Sequence, residues 1–205
     1  MMLEASDSQL VLVDYQERLM PAMAGGADAV ARAVFLAQLA RLLEVPVWGT
    51  EQNPAKLGGN VPAIRALCHK TFAKMHFNAA ESALPEALKP VAKPSGNARS
   101  LPKHLQKPAA PVEGRQTVVL AGCEAHVCLL QTALGLLEHE LDVWVVTDAC
   151  ASRTERDRDA AFDRLASNGV ELVTSEMVAF EWLGHADHPR FREALALIKP
   201  LVAGG

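Results

Sequence analysis

A chain of 205 residues, half of them apolar, can bury one sizeable core, so a single domain over residues 1–205 is expected. Twenty basic against twenty-four acidic residues leave a net charge of −4 without any Lys/Arg block, which argues against nucleic acid as a partner. The opening MMLEASDSQLVLV has no basic stretch ahead of an apolar one, and no apolar run nears the roughly 18 residues of a membrane helix. A cytoplasmic protein with no membrane contact is expected.

The first element is QLVLVD, a short apolar run that stops abruptly at DYQER, as a buried strand does when its carboxyl end opens onto a loop at Asp14. Val30, Ala33, Val34, Ala37 and Ala40 then recur at helical spacing, and VPVWGT, opened by Pro46, reads as a second strand. A third strand is expected near Ala66 to Phe72 and a short helix over 79–89. From Pro90 to Gly114 five prolines and two glycines interrupt any apolar periodicity, which marks a long loop or arm inserted in the domain.

Regular alternation resumes with TVVLAG as strand, Val127 to Glu140 as helix and DVWVVTDA as strand. Thr154 can cap a helix over about 155–167 that stops at Asn168-Gly169, and VELVT follows as the last strand. Ser175 is read as the cap of a further helix closing near Gly184, and a last helix is expected around 189–198. Strands alternating with helices imply an α/β fold with three α-β-α layers and a mainly parallel, Rossmann-like sheet of about six strands.

In such sheets ligands sit outside the carboxyl ends of the strands. Asp14, Lys74 in FAKMHFN, and Cys128 in AGCEAHVCLL hold that position. Cys128 lies where a loop turns into a helix, whose unpaired N–H groups favour a thiolate. A neighbouring ammonium would lower the thiol pKa further, and an aspartate could take its proton and return it to a leaving amine. By spacing alone, these residues fit packing, capping and solvation as well as they fit catalysis. The four cysteines are too few for a disulfide scaffold, and the gap between Cys123 and Cys128 does not match common zinc spacings, so no metal and no cofactor are expected.

The stretches LVLVDYQERL, VPVWGTEQ, KMHFN, LAGCEAHVCLLQTAL, VVTDACASR and VTSEMVAFEWLG together resemble the isochorismatase-like cysteine hydrolases. The likeness spans about residues 8–190, apart from Pro90 to Gly114. It implies Cys128 as nucleophile, Asp14 as general acid/base and Lys74 as their cationic partner, with Lys70 the runner-up. It also implies a cis peptide at Cys123-Glu124, with the Glu124 and Cys128 N–H groups as an oxyanion hole, and assembly into homo-oligomers.

Glu51, Gln52, Phe77 and His126 are candidate pocket residues for a small-molecule substrate, and Trp48 and Phe180 are candidate apolar walls. Related nicotinamidases hold a metal with an aspartate and histidines after the second strand, where this chain reads TEQNPAKLGGN without a histidine. Related isochorismatases that cleave a vinyl ether lack the cysteine. Hydrolysis of an amide-type C–N bond through a Cys128 thioester is the expected reaction. Two other readings are a peroxide-sensitive Cys128 resolved by Cys123, and a catalytically silent binding module using the 90–114 arm.

Overall fold

A computed structural model describes residues 2–88 and 114–202. The arm expected at 90–114 therefore lies outside the described residues, apart from Gly114. Six strands form one parallel sheet in the order β3-β2-β1-β4-β5-β6. They are β1 (Ser8–Val13), β2 (Val47–Gln52), β3 (Lys70–Lys74), β4 (Thr117–Gly122), β5 (Asp142–Val146) and β6 (Glu171–Val173). The central strands are continuous apolar runs because both their faces are covered. In β1, Leu10 and Leu12 enter one core while Val11 and Val13 enter the other.

The first core is closed by α1 (Gly26–Leu42), by α7 (Ser175–Leu183) and by α8 (Phe191–Val202). The second is closed by α4 (Leu84–Leu88), α5 (Leu130–Glu138) and α6 (Glu155–Ser167). Two single-turn helices, α2 (Pro54–Leu57) and α3 (Pro62–Arg65), carry the chain from β2 to β3. The sheet order reverses between β1 and β4, so a crevice opens at their carboxyl ends, where open α/β sheets bind ligands.

Several boundaries depart from the sequence reading. The third strand is Lys70–Lys74 rather than Ala66 to Phe72, because Pro62 starts a helical turn that Ala66 ends. The strand is a half-exposed edge in which buried Phe72 and Lys74 alternate with exposed neighbours, so it lacks an apolar run. The helix expected over 79–89 is a 3-10 turn (Ala79–Glu81) followed by α4. The helix expected from Val127 begins as a π-helical turn (Ala125–Leu129) that runs into α5. Thr174, not Ser175, caps α7: its backbone is extended and its hydroxyl accepts the Met177 N–H, while the Ser175 hydroxyl donates to Asp148.

Candidate active site

Three strand ends build the site. Asp14 follows β1 directly and adopts the left-handed region with φ of 55°, a conformation a non-glycine residue holds only under constraint. Its amide donates to the Thr50 carbonyl at 3.2 Å and its own carbonyl accepts the Gln16 N–H at 2.8 Å. The turn aims the carboxylate across the end of the sheet. Gly122, paired with Val13 at the end of β4, makes this close approach possible, since a Cβ there would stand 2.5 Å from the Val13 Cβ and carbonyl oxygen.

Lys74 ends β3 and reaches back over β2 to place Nζ 2.7 Å from Asp14 Oδ2, both side chains being fully shielded from solvent. The ammonium also donates to the carbonyls of His76 at 3.3 Å and Phe77 at 3.1 Å, so the loop after β3 wraps it with acceptors. Burial of the ion pair costs desolvation that only such full hydrogen bonding offsets. Lys70 does not share the site. It opens the same strand, exposed, with its ammonium 4.7 Å from the Phe72 ring centre.

Cys128 sits in the π-helical turn after β4, buried, where its thiol meets Asp14 and Lys74 in hydrogen-bonding and electrostatic contact. Burial, then the Asp14 charge, push the thiol up to about 12, and the Lys74 ammonium opposes them only in part. This corrects the expected thiolate. The resting group is a neutral thiol beside an ionic Asp14–Lys74 pair, because the ammonium is already committed to the carboxylate.

The peptide bond between Cys123 and Glu124 is cis. In the turn that follows, the Ala125 N–H goes to the Ala151 carbonyl, and those of Val127 and Leu129 go to the Glu124 carbonyl. The Glu124 and Cys128 amides take part in none of these three bonds.

The remaining candidates divide. Gln52 donates to the Met75 carbonyl at 3.1 Å, which ties it to the loop around Lys74, and Phe77 lies half-exposed on that loop. Glu51 instead accepts the Asn60 N–H at 2.8 Å, and His126 Nδ1 is paired with Ser152 Oγ at 2.9 Å. The Glu124 carboxylate accepts from Arg153 Nε at 2.7 Å.

Trp48 stands near the amino end of β2, its indole N–H on Gln9 and its ring against His69, away from the strand ends that carry the site. Phe180 lines a separate surface groove with Met2 and Met177. Neither is a wall of this site.

Cys123 and Cys128 are both free thiols and pack into different cores. Thr50 was not singled out from the sequence. Its place as the polar residue that ends VPVWGT is the available signal. Among the described residues no group of three or more His, Cys, Asp or Glu could hold a metal ion, and no helix is long and apolar enough to cross a membrane.

Comparison with known proteins places this arrangement. A profile of the isochorismatase domain matches residues 8–177. The chain is 36% identical over 195 residues to mouse isochorismatase domain-containing protein 2A, covering 95% of this chain and 84% of that protein. It is 37% identical over 192 residues to human isochorismatase domain-containing protein 2, covering 94% and 83%. A solved structure named as the MAR1 ribonuclease of Caenorhabditis elegans superposes with a TM-score of 0.82 at 31% identity, over 97% of this chain and 93% of that one.

Proposed function

The chain belongs to the isochorismatase family, a family of hydrolases, and from this premise we propose that it cleaves an amide-type C–N bond of a small molecule through a thioester on Cys128. The observation that carries the reading is the shielded Asp14–Lys74 pair with the Cys128 thiol against it.

Because the thiol rests protonated, Asp14 acts as general base at the moment of attack. It takes the thiol proton as sulfur bonds to the substrate carbonyl carbon, and the carbonyl oxygen becomes an oxyanion. The Glu124 and Cys128 N–H groups receive that oxyanion. Collapse breaks the C–N bond, and the amine departs with the proton held by Asp14. Water then attacks the thioester, gives a proton back through Asp14 to sulfur, and releases the acid. Lys74 holds the Asp14 carboxylate in place through these transfers.

A ribonuclease reading does not follow from the nematode neighbour's name, because the acidic charge balance and the absence of a Lys/Arg block offer no track for phosphates.

The test is to treat the protein with small aryl esters, primary amides and iodoacetamide, then locate adducts by peptide mass spectrometry and measure ammonia. Modification concentrated on Cys128, with ammonia release that disappears in Cys128→Ala and Asp14→Asn, is the expected result. Modification spread evenly over Cys68, Cys128 and Cys150, or ammonia release surviving in Cys128→Ala, would overturn it.

A further inference from the structure

One buried polar side chain at the carboxyl end of the sheet has no part in the scheme above. Thr50 is fully buried, and its hydroxyl donates to Asp14 Oδ1 at 2.7 Å. Its carbonyl accepts the Asp14 amide at 3.2 Å and the Asn60 side-chain amide at 3.0 Å. Thr50 therefore grips Asp14 at both backbone and carboxylate, and is itself held by the loop after β2.

With Lys74 on Oδ2 and Thr50 on Oδ1, each carboxylate oxygen has one fixed donor, and the torsion of the group is set. We propose that Thr50 is a positioning residue for the proton transfer, holding the Asp14 carboxylate so that its remaining lone pairs face the Cys128 thiol. The inference rests on the proposed role of Asp14 as proton acceptor.

The alternative is a hydroxyl that merely satisfies a buried carboxylate. Either role is compatible with a loss of stability on substitution. Only positioning lowers the rate of Cys128 alkylation across the whole pH profile, and only while Asp14 is present. Three titratable groups act on Asp14: Lys74 from β3 by a hydrogen bond, Cys128 from the π-helical turn, and Cys123, just after β4, through its charge alone. The neutral Thr50 hydroxyl faces it from β2. Removing that hydroxyl leaves Oδ1 without its fixed donor, while the other three groups are unchanged.

The experiment measures the rate of iodoacetamide alkylation at Cys128 against pH, by peptide mass spectrometry, in wild type and in Thr50→Val, Thr50→Ala and Thr50→Ser. Thr50→Val removes the hydroxyl at nearly constant volume, and Thr50→Ala provides a second route should the valine form fail to fold. The expected result without the hydroxyl is a pH profile whose plateau is lowered as a whole rather than only displaced. The rate at neutral pH should fall by about tenfold or more, as for a misaligned general base. Thr50→Ser should restore both.

In an Asp14→Asn background Thr50→Val should add nothing, since the two act through one group. A wild-type pH profile in the hydroxyl-free variants, a serine form as impaired as the valine form, or an undiminished effect in the Asp14→Asn background would each overturn the proposal. A separate outcome distinguishes the underlying reading. If the acid limb survives intact in Asp14→Asn, Asp14 is not the proton acceptor, and Thr50 loses its role with it.

Discussion

At the amino end of β1 the buried polar groups are neutral and answered by neutral partners, whereas its carboxyl end adds a buried pair of opposite charges. Gln9, 3% exposed on β1, donates to the Leu88 carbonyl at 2.6 Å and the Arg115 carbonyl at 3.2 Å, and accepts the Trp48 indole N–H at 3.1 Å. Ser8 donates to the Glu4 carbonyl and accepts the Trp182 indole N–H. Five residues along β1 from Gln9, Asp14 stands in a left-handed turn, bound to a shielded ammonium and facing a neutral thiol. The first arrangement is what a fold needs to be stable. The second spends stability on a buried ion pair beside a thiol, which the first does without.

Breaking the ion pair should produce the largest effect. Lys74→Met leaves the Asp14 carboxylate buried without its cation and is expected to cost about 3 to 5 kcal/mol in urea unfolding. The double variant Asp14→Asn, Lys74→Met should recover much of that loss. Wild-type stability in the single variant would mean that the carboxylate reaches water, and the two ends would no longer differ in kind.

The thiol sharpens the contrast through pH. Its folded pKa of about 12 lies above the unfolded value of about 8.5, so its contribution is fully present below about pH 8.5 and is lost as pH rises toward 12. Wild type should therefore lose about 2 kcal/mol more than Cys128→Ala between about pH 8 and pH 10 in the same unfolding measurement. Cys150 and Tyr15 are raised by burial in both proteins and cancel in the difference. Equal losses would show that the thiol is not desolvated.

The smallest effect is expected at the amino end. Gln9→Leu removes neutral hydrogen bonds and should cost about 1 to 2 kcal/mol while leaving Cys128 alkylation unchanged. Slower alkylation in that variant would couple the two ends.

The sequence reading recovered what periodicity and abrupt polarity changes encode. QLVLVD, TVVLAG and DVWVVT announced central strands because burial on both faces demands unbroken apolar runs, and Asp14 and Cys128 were found at strand ends for the same reason. The edge strand was misplaced because only one of its faces is buried, and the apolar AIRALC ahead of it belongs to a helical turn.

What no single residue type encodes was not legible. Thr50 pairs with Val13 on β1, which brings it beside Asp14, and Gly122 pairs with Val13 from the other side, both facts of register. The thiol's ionisation was misjudged because an ammonium in the sequence carries no sign that a carboxylate has already claimed it. Aromatic character makes Trp48 and Phe180 candidates for pocket walls as well as for core, but does not say which end of a strand or which side of a helix they occupy.

The amide of Gln9 holds the carbonyls of Leu88 and Arg115 together on one nitrogen. The Arg115 guanidinium adds its own bonds to the carbonyls of Ala5, Ser8 and Glu44. Gln9 therefore works as a clasp that joins the end of α4 to Arg115 ahead of β4, and replacing it would loosen both places together.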